Sequence, residues 1–210
     1  TVVDATRRIG LARVLSKRGL CSRTQASAWI HAGRVQVDGR VVRDPEFPTI
    51  AGRHRIAVDG REIDQSPRQA IHVMLNKPRG LVTTLSDEQG RDTVYRCFDG
   101  ADLGFIAPVG RLDKASEGLL LFTNDPQWAA RITSPESGPD KAYHVQVDCI
   151  PDVAMLASMQ AGVACEGAML RAKSVQLLRA GEKNAWLEVV LDEGRNRQIR
   201  RLLAELDIGV

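Results

Sequence analysis

The reading of this chain turns on Gly110-Arg111-Leu112-Asp113-Lys114-Ala115-Ser116-Glu117-Gly118, which runs directly into Leu119-Leu120-Leu121-Phe122-Thr123-Asn124-Asp125. Asp113 lies between two glycines, close to Arg111, ahead of an apolar strand. Loops held by rigid elements are where proteins commonly present catalytic carboxylates. An Asp in such a place also serves as a turn or cap residue, because its short side chain bonds the local backbone. Leu119 to Phe122 reads as core strand. Thr123-Asn124-Asp125-Pro126 reads as a helix start, since proline is tolerated in the first helical turn.

Working outward, Ile71-His72-Val73-Met74-Leu75 is a short strand that leads into Asn76-Lys77-Pro78-Arg79-Gly80. Further strands are predicted at 103–107, 118–123, 142–149, 171–179 and 185–191, and helices at 126–133, 151–161 and 197–206. Strands predominate and their connections vary in length. That pattern predicts an α+β body with a mixed, mostly antiparallel sheet flanked by helices. Periodicity leaves the strand order open.

The first 63 residues read differently. Leu11, Val14 and Leu15 recur at helical spacing, and Gly19 is a natural stop. Ser22 or Thr24 can cap a second helix carrying Ala26, Ala28, Trp29 and Ile30, which ends near Gly33. In Val35-Gln36-Val37-Asp38-Gly39-Arg40-Val41-Val42 an alternating run is broken by Asp-Gly, a strong hairpin signal because a type I′ turn needs positive φ at both central residues. A similar phrase returns in Ile56-Ala57-Val58-Asp59-Gly60-Arg61-Glu62-Ile63. Asp64 to Gln69 is polar, holds Pro67 and lacks apolar periodicity, so 64–70 reads as a linker between a module at 1–63 and a body at 71–210.

Charge divides along the same line. Residues 1–60 hold 11 Lys/Arg against 5 Asp/Glu, a net +6, while the whole chain carries only +3. A basic module joined to a mildly acidic body suggests that the first part grips a polyanion. No apolar run approaches the roughly 20 residues needed to span a bilayer, and the N-terminus lacks the apolar core of a signal peptide. The cysteines Cys21, Cys97, Cys149 and Cys165 are widely spaced, without a Cys-x-x-Cys pair. They are expected to be reduced thiols in or near the core, and neither they nor His31, His54, His72 and His144 show metal-ligand spacing.

Four runs together resemble a known family. They are Asn76-Lys77-Pro78-Arg79-Gly80, Gly110-Arg111-Leu112-Asp113, Lys141-Ala142-Tyr143-His144-Val145, and Glu193-Gly194-Arg195-Asn196-Arg197-Gln198-Ile199-Arg200-Arg201. In this order they resemble the motifs of pseudouridine synthases, specifically the branch that modifies ribosomal RNA (the RsuA/RluB/RluF type). The N-terminal order, with Ser22-Arg23 and then Gly33 to Gly39, resembles the S4 RNA-binding domain. The resemblance covers nearly the whole chain.

It implies an N-terminal S4-like (αL) domain and a catalytic domain that isomerises uridine in RNA. The C1′–N1 glycosidic bond breaks, the base turns, and C1′ rejoins through C5. Nothing is oxidised or hydrolysed, so no metal and no cofactor is implied. By resemblance Asp113 is the catalytic carboxylate, acting as nucleophile or base. Arg200 is its cationic partner, which would keep the carboxylate charged in a partly dry pocket; another arginine of 195–201 could fill that place. Tyr143 would stack on a flipped-out uracil, although lone strand tyrosines usually pack. Lys17, Arg18, Arg23 and Arg34 are the expected phosphate contacts of the S4 face. Arg111 would fill the gap left by the base or form a local salt bridge. Lys77 and Arg79 would contact phosphate or support the loop, and Lys141, Arg195 and Arg197 complete the expected RNA-binding set.

The implied partner is ribosomal RNA or a ribosomal assembly intermediate, met by a cytoplasmic monomer, with a slight lean toward the large subunit. Two departures stand out. Pro126 and Gln127 follow Thr-Asn-Asp where family members carry a glycine, which should alter only the start of that helix. The sequence ends at Asp207-Ile208-Gly209-Val210 where relatives continue with a further strand and tail, so a longer parent chain is expected. A rival reading is a non-catalytic RNA-binding or ribosome-assembly factor on the same scaffold. A weaker one is a nuclease or glycosidase using Asp113 and Glu117 as paired acids.

Overall fold

A computed structural model describes residues 8–50, 53–64, 69–85 and 87–210. Residues 1–7 and 51–52 of the expected S4 module and residues 65–68 of the expected linker lie outside the described residues. The chain divides into two compact units, 1–129 and 130–210.

The N-terminal part of the first unit runs β1 (Ile9–Gly10), α1 (Leu11–Lys17), α2 (Arg23–His31), β2 (Val35–Val37), β3 (Arg40–Val41), β4 (Pro48–Thr49), β5 (Ile56–Val58) and β6 (Arg61–Glu62). Local chemistry sets its corners. Ser22 caps α2 through a reciprocal box, its hydroxyl accepting from Gln25 N while its own N–H donates to the Gln25 side chain. Both helices end on a left-handed glycine, Gly19 at φ 64° and Gly33 at φ 74°. In α1 the N–H groups of Gly19 and Leu20 donate to the carbonyls of Ser16 and Leu15, and in α2 those of Gly33 and Arg34 donate to Ile30 and Trp29. That is the double-bonded helix stop in which glycine avoids a Cβ clash.

Both predicted hairpins form. Asp38 and Gly39 sit at φ 50° and 78°, Asp59 and Gly60 at 51° and 76°. Strand β2 pairs with β3 and with β5, so the two hairpins join in one sheet of order β3-β2-β5-β6. The helices cover it through Leu11, Val14, Leu15, Ala26 and Ile30, which meet Val35, Val37 and Ile56 in one core. Each fully buried aliphatic side chain contributes about 1.5–3 kcal/mol. The β1–β4 pair was not expected, because two-residue strands carry no readable alternation.

Next come β7 (His72–Lys77), a 3₁₀ turn (Val94–Phe98), β8 (Ala107–Val109) and β9 (Gly118–Thr123), paired antiparallel in the order β7-β9-β8. Alternate residues Leu120 and Phe122 face a small core with Val94 and Ile106, joined by Val73 and Leu75. The strand expected at 103–107 lies at 107–109 instead. Gly104 at φ 61° takes the chain out of extended conformation, and Pro108 is tolerated because β8 is an edge strand. Helix α3 (Pro126–Thr133) follows, with the Asp125 carboxylate accepting from Gln127 N and Trp128 N.

The second unit contains β10 (Lys141–Val147), α4 (Val153–Ala161), β11 (Val163–Cys165), β12 (Ala168–Leu170), β13 (Ser174–Ala180), β14 (Ala185–Leu191) and α5 (Gln198–Ala204). Its main sheet is β10-β14-β13, antiparallel, with β14 in the centre. Ala185, Leu187, Val189 and Leu191 of β14 are buried with Val145, Val147, Met159, Leu202 and Leu203. The β11–β12 hairpin was not expected. It turns at Glu166 (φ 50°) and Gly167 (φ 78°), the same geometry as the two Asp-Gly turns but with a glutamate first.

The class is α+β. Every named ladder among the described residues is antiparallel, with one isolated parallel bridge between Val82 and Thr93. No helix among the described residues is long and apolar enough to cross a membrane. Cys21 and Cys165 are buried and Cys149 is half-buried, but Cys97 is exposed, against the expectation of four core thiols: it stands on the 3₁₀ turn, whose apolar contact is made by Val94, Tyr95 and Phe98.

Candidate active site

Asp113 sits between the ends of β8 and β9, on a loop opened by Gly110 (φ 85°) and closed by Gly118 (φ 121°). Its residue is half-buried, while Arg111 and Lys114 beside it are exposed. The loop is held from several sides. Thr83 Oγ1 donates to the Leu112 carbonyl at 2.8 Å and accepts from Leu112 N at 3.3 Å. Gly80 N donates to the Lys114 carbonyl at 2.7 Å, and Ser116 N to the Asp113 carbonyl at 3.0 Å.

Lys77 completes this clamp. It is the last residue of β7, opposite Gly118 in the ladder, and its side chain is fully buried. Its ammonium donates to the carbonyls of Pro78 (3.0 Å), Asp113 (3.1 Å) and Ser116 (2.8 Å). An ammonium has three protons to give, and all are used. Burial lowers its pKa, and the electrostatic pull of the Cys97 sulfur and the Asp113 carboxyl acts in the opposite direction. Of the two roles expected of Lys77, phosphate contact and support of the loop, its burial fits the second. A cation with no exposed surface and three internal acceptors is placed to hold a loop.

Arg79 is exposed and pairs with Glu117 at 3.2 Å, a surface contact of small energy. That pair sets Glu117 beside a cation on the surface.

In the second unit, Tyr143 lies on β10 opposite Val189, half-buried against the core. Lys141, at the start of the same strand, donates to the Pro139 carbonyl at 3.1 Å. The arginine-rich turn enters α5 through Arg197 in left-handed conformation at φ 47°. Its four arginines part company. Arg195 is exposed and pairs with Glu193 at 3.0 Å. Arg197 is exposed. Arg200 donates to the Val210 carbonyl at 3.2 Å. Arg201 reaches Glu166 at 2.8 Å and so is anchored on the β11–β12 turn.

Gln198 organises this turn, and the sequence reading passed it over. Only 3% exposed, it accepts from Arg195 N at 3.0 Å and donates to the Arg171 carbonyl at 3.0 Å and to Glu193 at 2.8 Å. Its signal was its position, a neutral amide among arginines at the first turn of a helix.

Of the S4-face cations, Lys17 and Arg23 are exposed and Arg18 is half-buried at the end of α1. Arg34 is oriented by its neighbours: it lies 5.2 Å over the Trp29 ring and binds Asp59 at 2.5 and 2.9 Å. That hydrogen bond raises the Arg34 pKa and lowers that of Asp59. Among the described residues, no group of three or more His, Cys, Asp and Glu could hold a metal ion.

The first unit opens with a basic two-helix module carrying paired hairpins, and the α+β part that follows presents a carboxylate on a clamped loop. Comparison with known proteins gives this arrangement a family. Residues 71–205 match the family model described as RNA pseudouridylate synthase, and residues 9–48 match the S4 domain. An uncharacterized RNA pseudouridine synthase of Rickettsia prowazekii is 37% identical over 202 residues, covering 95% of this chain and 83% of its own. Ribosomal large subunit pseudouridine synthase B of Bacillus subtilis is 32% identical over 194 residues (91% and 78%), and that of Escherichia coli O6:H1 34% over 203 (95% and 70%). A crystal structure of a pseudouridylate synthase superposes with a TM-score of 0.62 at 27% identity, covering 98% of this chain and 85% of that one. The chain belongs to the RNA pseudouridylate synthase family and carries an S4 domain; it is an RNA pseudouridine synthase.

Proposed function

We propose that this enzyme isomerises uridine to pseudouridine in ribosomal RNA, with Asp113 as the reacting carboxylate. The observation that carries the reading is the presentation of Asp113: half-buried, on a turn bound at Leu112, Asp113, Lys114 and Ser116 by groups from 77–83. A carboxylate that must act on one sugar carbon gains most from being held before the substrate arrives, since alignment can supply a large share of the barrier reduction.

In this reading residues 1–63 anchor the RNA, 64–70 connect, and 71–210 perform the chemistry. Lys17, Arg18, Arg23 and Arg34 meet phosphates, releasing counterions and positioning the helix without reading sequence. The target base must leave its stack to reach Asp113. Tyr143 then offers a ring face to the uracil, and Arg111, exposed two residues before the carboxylate, fills the vacated place. Arg200 serves the reaction as a cation of the C-terminal motif. Arg79, Lys141, Arg195 and Arg197 contact the surrounding phosphates. The glycosidic electron pair leaves C1′ with N1, C5 then bonds C1′ and gives up its proton, and N1 takes up one proton, so the reaction balances within one nucleotide and needs no cofactor.

The large-subunit relatives favour large-subunit RNA as the substrate, free or in an assembly intermediate. In this reading the enzyme works in the cytoplasm, as a monomer. Pseudouridine mapping on unmodified ribosomal RNA and on assembly particles, with and without the purified protein, tests the proposal. One new pseudouridine in large-subunit RNA supports it. Binding to those RNAs without isomerisation would favour a non-catalytic assembly factor.

A further inference from the structure

We propose that Arg40, Arg53 and Arg55, gathered around the Asp38-Gly39 turn, form a second RNA-backbone site of the N-terminal module, separate from its helical face. The inference rests on the reading that residues 1–63 anchor RNA.

The geometry comes from the sheet. In the order β3-β2-β5, Arg40 opens β3 opposite Val37, and Arg55 directly precedes Ile56, which pairs with Val37 from the other side. Two strand spacings, about 10 Å, separate β3 from β5. Segment 53–55 is bound to the turn between them. Asp38 N donates to the Arg55 carbonyl at 2.8 Å, Arg55 N donates to the Asp38 carboxylate at 2.8 Å, and His54 Nδ1 lies 2.7 Å from the same carboxylate. Arg53 N closes a further turn on the Ile50 carbonyl at 3.1 Å. Backbone held in this way is ordered before RNA arrives, which lowers the cost of binding.

The positive charge is left facing solvent. Arg40, Arg53 and Arg55 are all exposed, and none of them forms an ion pair among the described residues. The Asp38 carboxylate at this corner is engaged by His54 and by Arg55 N. Asp44 and Glu46 are carried to the start of α1, where the Pro45 and Phe47 carbonyls accept from Ala12 N and Leu11 N. Guanidinium groups grip phosphate oxygens in pairs, and such contacts need no base sequence. The corner also stands apart from Arg34. Arg34 precedes β2 (Val35–Val37) and Asp38 follows it, a span of about 13 Å in extended chain. Segment 53–55 lies beyond 9–48, the residues that match the S4 domain, and so adds to what the shared module supplies.

The test measures the Kd of an unmodified large-subunit RNA transcript from low to high salt for wild type, Arg40→Gln, Arg53→Gln, Arg55→Gln and the triple variant. Each lost phosphate contact should flatten the slope of log affinity against log salt by about 0.7–0.9, and the triple variant by about 2–3. An unrelated RNA of equal length should be weakened by the same factor, because phosphate carries no sequence. Melting temperatures should stay at the wild-type value, since only exposed side chains change. If the triple variant melts early, the single variants carry the test by the same slope. Arg61→Gln removes an equal charge from an exposed position on β6, at the opposite end of β5, and should leave the slope as in wild type. Equal flattening by Arg61→Gln would show net charge at work rather than a site and would overturn the proposal. A triple variant with wild-type slope and affinity would overturn it as well. A Lys17→Gln, Arg23→Gln variant separates the two levels. If it too binds as wild type, the reading of residues 1–63 as the anchor fails; if it weakens binding and the triple variant does not, this inference alone fails.

Discussion

The S4 module and the Asp113 turn are both built from tight turns, yet they are specified in opposite ways. In the module each corner is written in adjacent residues: Ser22 with Gln25, Gly19 and Gly33 as helix stops, Asp38-Gly39 and Asp59-Gly60 as hairpin turns. At the Asp113 turn, the groups that set the geometry come from afar. Lys77 reaches Asp113 across 36 residues and Thr83 reaches Leu112 across 29. A binding surface can be assembled from self-sufficient local pieces, whereas a reactive group needs its backbone held by partners the fold brings in. Damage to the first should therefore appear as lost stability and affinity, and damage to the second as lost turnover.

The largest effect expected from a test of this contrast is on the module core. Ile30 is fully buried, and Ile30→Ala should destabilise by about 2–5 kcal/mol. Urea unfolding measures it, and RNA affinity should fall with it while kcat at saturating RNA stays. Gly33→Ala comes next. At φ 74° a Cβ is strained, and it would also lie 2.8–2.9 Å from the Arg43 guanidinium, which can shift. A loss of about 1–2 kcal/mol follows, again with kcat kept. Thr83→Val reverses the pattern: loss of its two bonds to Leu112 should destabilise by only about 1 kcal/mol yet lower kcat about tenfold.

Ser22→Ala removes the α2 cap, for about 1 kcal/mol in thermal or urea unfolding and no change in kcat. The smallest effect is an acid one. Hydrogen bonds from Arg34 to Asp59, and from His54 and Arg55 N to Asp38, lower both carboxylate pKa values in the folded state. A lowered folded value means stability that is present above the ordinary carboxylate range and is lost as pH falls through the folded values. Amide protection factors in the module, taken relative to the intrinsic exchange rate at each pH, should thus fall on acidification, and Asp59→Asn should flatten that dependence.

The same contrast explains what was legible in the sequence. Strands at 118–123 and 185–191 and the helix at 126–133 lie where apolar periodicity and the Asp125-Pro126 start put them. The Glu166-Gly167 hairpin escaped because a glutamate is not the residue usually found at positive φ, and β8 was displaced because Gly104 bends the segment expected to be extended. At the candidate site, the sequence carried the loop, its glycines and its acid. It could not carry the burial of Lys77 or the paired bonds of Thr83, since nothing local distinguishes a clamping lysine from a solvent-facing one. Gln198 was hidden in the same way, its partners Arg171 and Glu193 meeting only in the folded turn.

The most direct test of the central claim is single-site pseudouridine mapping on large-subunit RNA with wild type and Asp113→Asn, each at RNA concentrations where binding is shown to be complete. The account predicts one new pseudouridine with wild type and at least a ~10³-fold slower reaction with the variant at undiminished RNA affinity, as expected when a group acting in the chemical step is removed. An Asp113→Asn protein that binds and isomerises at the wild-type rate would contradict it, and would return Asp113 to the role of a turn residue.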